Sequence, residues 1–322
     1  MAEDVQADRR GRVVETSDAV DEKMDVLCVG FANQDLLAGV AGYPPPDTKI
    51  DVLDLVEQGG GPAATAAVAV ARLGGRAALL AAVGDDERGE VILADLAREG
   101  VDVSGCPRCR GASSPLSMVV VDRSAATRTI FRYLGTSSLQ PEDVDSSQVG
   151  YARVLLMDAH MPEAALEAAR VAREAGVPVV LDAGEPKARL EELLAASDYV
   201  VPPLSTAQWI TGESDPESAA VALLGDTVRA VVLTMGAAGH VVATREGVWR
   251  ESAFRVEVVD TTGAGDAFHG AFALAIAWER PVRDAARFAA AVAALKCRKP
   301  GGRAGLPGLA EVEALLSGES VV

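Results

Sequence analysis

Aromatic side chains are scarce in this chain: Phe, Trp and Tyr make up 4% of 322 residues. A site that grips a nucleobase wants aromatic or large apolar walls, so a nucleoside is a disfavoured ligand. Cysteine is scarcer still. Four in a chain of this size imply no disulfide framework, and Cys28 and Cys297 stand in apolar surroundings where a small buried thiol is ordinary. Cys106 and Cys109 have CxxC spacing, but no second Cys or His pair follows at zinc-site distance and the pair falls in a loop, which argues against metal or redox chemistry there. Basic residues are outnumbered, 30 against 47 acids. The net charge of −17 argues against nucleic acid or an anionic membrane as partner and favours solubility. No uncharged apolar stretch reaches the roughly 18 residues of a membrane span, and the first residues lack the apolar core of a secretion signal. A cytoplasmic protein is the expectation.

Apolar residues are plentiful at 49%, enough to bury a large core. Short β-rich runs alternate with alanine-rich helical ones. Strands are expected at Asp25 to Val29, Ala77 to Val83, Val154 to Met157, Val177 to Leu181, Ala230 to Leu233 and Val241 to Thr244. Helices are expected at Ala63 to Leu73, Arg88 to Glu99, Pro162 to Ala175 and Ala285 to Cys297. This is the pattern of an α/β, doubly wound fold: a mainly parallel sheet with helices on both faces and ligands at the carboxyl ends of its strands. Residues 1–23 mix charges with few apolar side chains and read as a disordered extension, leaving 24–322 as one folded unit. Two segments break the alternation, 36–58 with its three consecutive prolines and 113–134 with two strand-like runs around a polar turn. They read as an accessory sheet, either a plain hairpin or a lid.

The most informative stretch runs from Val259 to Gly270, VDTTGAGDAFHG. Phe254 to Val259 before it alternates like a strand, and the residues from Ala267 onward are strong helix formers, so the glycines occupy a strand-to-helix turn. Gly263 and Gly265 let the backbone bend tightly, and the free N–H groups at the start of a helix attract an anion such as phosphate. A carboxylate at that place would repel a phosphate. It makes sense as a base that takes a proton from an attacking hydroxyl beside the phosphate, and Asp266 is assigned that role. An isolated GxG turn with a capping Asp would be the blander account.

The motif DTTGAGD resembles the second signature of the ribokinase-like (PfkB) carbohydrate kinases. Far upstream, Gly59-Gly60-Gly61-Pro62-Ala63-Ala64-Thr65-Ala66-Ala67 and the following VAVARLGGRAALLAAVGDDERGE resemble the first signature, in the family's order. The resemblance runs from about Met24 to about Leu309. It implies a ribokinase-like fold with a small β-sheet lid over a sugar, ATP and Mg2+ as co-substrate and cofactor, and subunits that pair through the lid as a homodimer. Asp266 then acts with Gly263, Ala264 and Gly265 as the catalytic turn.

The same resemblance places the other ligands. Asn33 and Asp35 in GFANQDLL stand at the spacing of the family's substrate-binding Asn and Asp, and a carboxylate offers two oxygens to sugar hydroxyls. Gly59, Gly60 and Gly61 would let backbone approach the sugar, although a hinge into the next helix fits them too. In finer detail GGGPAATAA and AALKCRKPGGRAGLP are similar to the sulfofructose kinase branch, which binds a sulfonate. Lys49 matches a lysine of that branch, while Arg132 and His160 replace an asparagine and an arginine, so the anionic group could differ; solvated lid charge is the alternative for Lys49 and Arg132. On the nucleotide side Thr234, Gly236 and Gly239 resemble the strand and glycine turn flanking the phosphates, with Thr262, Ala291 and Lys296 also on that side. The family's Asn-x-x-Glu is missing, since Pro203 and Thr206 stand at those positions. Asp182 or water is left to serve the magnesium. Asp260, with Thr262, matches a monovalent-cation position, which implies potassium activation.

Together these residues point to an ATP-dependent kinase of a small, anionic ketose, with sulfofructose as first candidate. The alternatives are a neutral sugar such as fructose, ribose or ketodeoxygluconate, a nucleoside, or a catalytically silent sugar-binding regulator.

Overall fold

The structure, a computed structural model, describes residues 23–125 and 127–319. The extension expected over residues 1–23 lies, apart from Lys23, outside the described residues. The chain opens with β1 (Met24–Val29), then β2 (Asn33–Val40) and β3 (Asp54–Gly60), helix α1 (Pro62–Arg72), β4 (Ala77–Leu80) and β5 (Val83–Gly84). Helix α2 (Glu87–Arg98) leads to β6 (Val101–Asp102), β7 (Arg108–Cys109), β8 (Leu116–Asp122) and β9 (Thr127–Tyr133). Next come α3 (Ser146–Tyr151), β10 (Ala152–Asp158), α4 (Pro162–Ala175), β11 (Val179–Asp182), α5 (Leu190–Ala195) and β12 (Tyr199–Val201). Helices α6 (Leu204–Thr211) and α7 (Pro216–Ala222) precede β13 (Ala230–Thr234), β14 (His240–Thr244) and β15 (Gly247–Glu251), and the chain closes with α8 (Ala264–Ala277), α9 (Val282–Lys296) and α10 (Leu309–Ser317).

Among the described residues the main sheet has nine strands in the order β15-β14-β13-β12-β11-β10-β1-β4-β6. It is parallel from β6 to β13 and turns antiparallel only at the β13–β14–β15 edge. Its central strands are apolar on both faces because helices cover both. Val26 and Cys28 of β1 pack into the core shared with α1, α8 and α9, whereas Leu27 and Val29 pack into the core shared with α4. Alanine brings helices close to the sheet and to each other. At Gly270 of α8 an added Cβ would strike the Ala66 carbonyl of α1, so glycine permits that approach.

The lid is a separate four-stranded sheet, β3-β2-β8-β9, with β2 and β8 parallel. It matches the two segments that broke the alternation, except that β2 begins at Asn33, earlier than expected. One expected strand is corrected: Phe254 to Val259 forms no strand. Its alternation finds no neighbour to pair with, Val258 and Val259 are exposed, and Val259 and Asp260 donate their N–H groups to the Cys297 carbonyl instead. No helix of the described residues is long and apolar enough to cross a membrane.

Candidate active site

A cavity of about 380 Å3 lies where the lid faces the carboxyl ends of β1, β10 and β11, the end at which an open α/β sheet binds ligands. A larger groove of about 860 Å3 sits at the amino ends of β11 to β13. Its Arg229 and Arg283 are paired with Asp198 and Glu251, and none of the motif residues singled out in the sequence lies there. The chemistry belongs to the smaller cavity.

Asp266 stands in the first turn of α8 and lines that cavity with Gly265. Gly263 ends the preceding turn at φ 73, in the left-handed region, and a side chain there would run into Gly302, so the bend needs glycine twice over. Burial first, and then the neighbouring carboxylate of Asp182, push the Asp266 carboxyl up to about 6, against the opposing pull of His269. That value suits a proton acceptor near neutral pH. Gly263 and Ala264 lie behind this edge and do not themselves line the cavity.

The expected sugar-side pair faces Asp266 across the cavity. Asn33 donates through Nδ2 to Asp35 Oδ1 at 2.6 Å and to Ser117 Oγ at 2.7 Å, which fixes the carboxylate at the root of the lid strand β2. Burial raises the Asp35 carboxyl, opposed by hydrogen bonds from Asn33 and Ser117 and by Arg303. Gly61 lines the cavity at φ 92. Gly59 and Gly60 do not approach it: a Cβ on Gly59 would strike the Arg303 guanidinium and one on Gly60 the Asp35 carboxylate. Their glycine is explained by those two side chains.

Arg132 and His160 line the cavity, and so does Lys187, which sequence reasoning missed. Lys49 does not. It is exposed on the loop between β2 and β3, away from the cavity wall, as the lid-charge alternative had it. His160 stacks on Phe31 with ring centroids 5.0 Å apart, and its Nδ1 lies 3.3 Å from Asp158 Oδ1. Asp158, also unforeseen, is 2% exposed and accepts N–H groups from Phe31 at 2.8 Å, His160 at 2.8 Å and Ala63 at 3.2 Å. Burial opposes its ionisation, but the His160 and backbone contacts win and its carboxyl is lowered. One carboxylate thus ties the end of β1, the start of α1 and the His160 loop together.

On the other side Thr234, Thr262 and Pro203 reach the cavity. Gly236 and Gly239 form the turn between β13 and β14, where a Cβ on Gly239 would strike the Glu251 carbonyl. Thr206 donates to the Gly184 carbonyl, so the missing Asn-x-x-Glu is not replaced in place by a carboxylate. Asp182, the expected substitute, does line the cavity, as does Glu185. Ala291 and Lys296 are both fully buried, and neither presents surface to a nucleotide, which corrects their expected place. Lys296 instead donates from Nζ to the Asp260 carbonyl at 3.0 Å, and the Asp260 carboxylate accepts from Thr262 and Gly301.

Arg303, the remaining residue that sequence reasoning missed, is 4% exposed and donates to Asp95 Oδ2, the Gly60 carbonyl and Thr65 Oγ1. The thiols take no part: all four cysteines are free, and Cys106, pushed up to about 11 by burial, donates to the Leu79 carbonyl.

A family model described as pfkB family carbohydrate kinase matches residues 23–309. The ribokinase of Haemophilus influenzae is 30% identical over 288 residues, 87% of this chain and 94% of its own. The ATP-dependent ribose-1-phosphate kinase of Halopiger xanaduensis is 30% identical over 289 residues, 86% of this chain and 93% of its own. Among solved structures, the ribokinase of Thermotoga maritima superposes with a TM-score of 0.81 at 26% identity, covering 91% of this chain and 99% of its own. The Arabidopsis thaliana ribokinase complexed with ribose and ATP gives 0.79 at 25% identity, with the same coverages.

Proposed function

The chain belongs to the pfkB family of carbohydrate kinases, and from that membership we propose that it transfers the γ-phosphate of ATP to a terminal hydroxyl of a small sugar bearing an anionic group. The observation that carries this is a single cavity lined by Asp266, by the Asn33–Asp35 pair and by the Arg132 guanidinium. A neutral sugar does not call for that guanidinium. Sulfofructose is the first candidate. A sugar phosphate is the second, supported by the relative named for ribose-1-phosphate.

Asp35 and Asn33 hold sugar hydroxyls, and Asp266 accepts the proton of the terminal one as its oxygen attacks the γ-phosphorus. The bond to the β–γ bridging oxygen breaks and ADP leaves. The start of α8 at Gly265 would face the charge that develops on the phosphoryl oxygens. Magnesium would screen the triphosphate, and Asp182 is the carboxylate we assign to hold it. For potassium the site offers less than expected. The Lys296 amino group already rests on the Asp260 carbonyl, so we expect a cation to be built in there and turnover to be independent of potassium.

The lid also supports pairing of two copies. Its cavity face carries Asp35, Leu37, Ser117, Val119 and Arg132. The alternate residues Leu55, Met118, Phe131 and Tyr133 leave a half-exposed apolar outer face that a second lid would cover. A cytoplasmic enzyme is the matching location.

The test is magnesium-dependent ATP turnover on sulfofructose, fructose, fructose phosphates, ribose, ribose 1-phosphate, ketodeoxygluconate and adenosine. Preference for an anionic sugar, lost in Arg132→Gln, supports the proposal. Preference for a neutral sugar would instead make this a neutral-sugar kinase, the reading that the relatives named ribokinase support, and would make Arg132 lid surface.

A further inference from the structure

His269 sits on α8 one turn beyond Asp266 and is 5% exposed. Its Nε2 lies 3.0 Å from the Val201 carbonyl, which can only accept, so Nε2 carries a proton. Nδ1 is therefore the ring atom left to meet a ligand. It is buried without a hydrogen-bond partner and points at Asp182 Oδ2, 3.4 Å away. A positive species between them, a proton or a metal ion, joins such a nitrogen to a carboxylate oxygen. One ligand atom from each of Asp182, Asp266 and His269 lies within 4.8 Å of the others, and all three side chains line the cavity, which gives an entry path.

We propose that Asp182, Asp266 and His269 Nδ1 form a binding site for one divalent transition cation of the manganese, cobalt or zinc kind, separate from the magnesium that accompanies the nucleotide. Two donors about 2.1 Å from one tetrahedral ion stand about 3.4 Å apart, the spacing found between His269 and Asp182. A ring N–H held by a backbone carbonyl is how proteins orient an imidazole ligand. One nitrogen with two carboxylate oxygens favours these metals over magnesium, which prefers oxygen alone. Only the consequence of binding rests on the kinase reading: an ion on Asp266 withdraws the carboxylate from proton transfer, so occupancy silences turnover.

The test uses the full chain, freed of metal with a chelator and without nucleotide. Manganese is titrated while the electron paramagnetic resonance of the free ion is followed. The expected result is one ion per chain, bound about tenfold or more weakly in both His269→Gln and Asp182→Asn, the loss of about 1.4 kcal/mol that one ligand must supply at the least. Electron spin echo modulation from a directly bound nitrogen in the unsubstituted protein gives the same answer without relying on a variant that could misfold. No bound manganese, absence of the nitrogen modulation, or an affinity unchanged in both variants would each overturn the proposal, the last by placing the ion on the acidic surface. None of these outcomes touches the sugar-kinase assignment, which stands or falls on turnover in magnesium alone.

Discussion

Replacing Asp266 with asparagine separates a catalytic carboxylate from a structural one, because the two roles predict opposite changes in stability. Asparagine keeps the size of the side chain and the first turn of α8, and removes only the proton acceptor. Loss of a general base lowers kcat by about 10²- to 10⁴-fold, with sugar and ATP still bound. That corresponds to about 3 to 5 kcal/mol of barrier. The carboxyl is held at about 6 instead of the usual 3.8, chiefly by burial and then by Asp182. A raised carboxylate destabilises the fold when ionised. The penalty is absent below pH 4, grows as the pH rises from about 4 to about 6, and is full above that, at most about 3 kcal/mol. Asp266→Asn should therefore melt higher than the parent at pH 7.5 and show no gain near pH 4. The parent should show kcat rising with pH through about 6, and the variant's residual activity should lack that limb. Thermal melting and steady-state assays in chelator-treated buffer with magnesium check both arms. Near-normal kcat would remove the base. A lower melting temperature at pH 7.5 would mean that the carboxylate acts as a helix cap, worth about 1 kcal/mol, and would refute the strain argument.

Three other perturbations follow from the same geometry. Arg303→Met removes donors from Asp95, the Gly60 carbonyl and Thr65 together, and should cost about 3 kcal/mol in urea unfolding; a change under about 1 kcal/mol would show that the buried guanidinium is dispensable. Gly60→Ala drives a methyl into the Asp35 carboxylate, so kcat/KM for the sugar should fall about 10- to 100-fold with KM for ATP unchanged; equal losses for both substrates would point to general unfolding. Exchanging sodium for potassium should leave turnover unchanged, whereas Lys296→Met should lose about tenfold and regain part of it in potassium; activation of the parent by potassium would sink the built-in cation.

The alternating α/β pattern was legible along the chain because each strand and helix carries its own local signal. β10, β13 and β14 lie within a few residues of their expected bounds, and α4 matches its expected span. Phe254 to Val259 shows the limit of that signal, for alternation makes a strand only when a neighbour offers hydrogen bonds. Asp266, Asn33 and Asp35 were legible because motifs marked them. Arg303 and Asp158 were not, since what makes them matter is distance along the chain: Arg303 meets Gly60 across 243 residues, and Asp158 meets Phe31 across 127. No local pattern announces such a partner. Gly59 and Gly60 were noticed for their flexibility, but their role is the room they leave for those remote side chains.

β2 continues from β1 after three residues, and Asn33 and Asp35 sit at its start, so the strand proposed to recognise the sugar is also a strand of the lid sheet. If Asp35 holds the sugar as proposed, fit and closure would be one mechanical event. A sugar engaging Asp35 would draw its own cover down over Asp266, while a poor fit would leave the γ-phosphate facing bulk water. Wasteful hydrolysis of ATP should then rise as acceptor fit declines, so fidelity in this enzyme is measured as much by the phosphate it squanders as by the sugar it refuses.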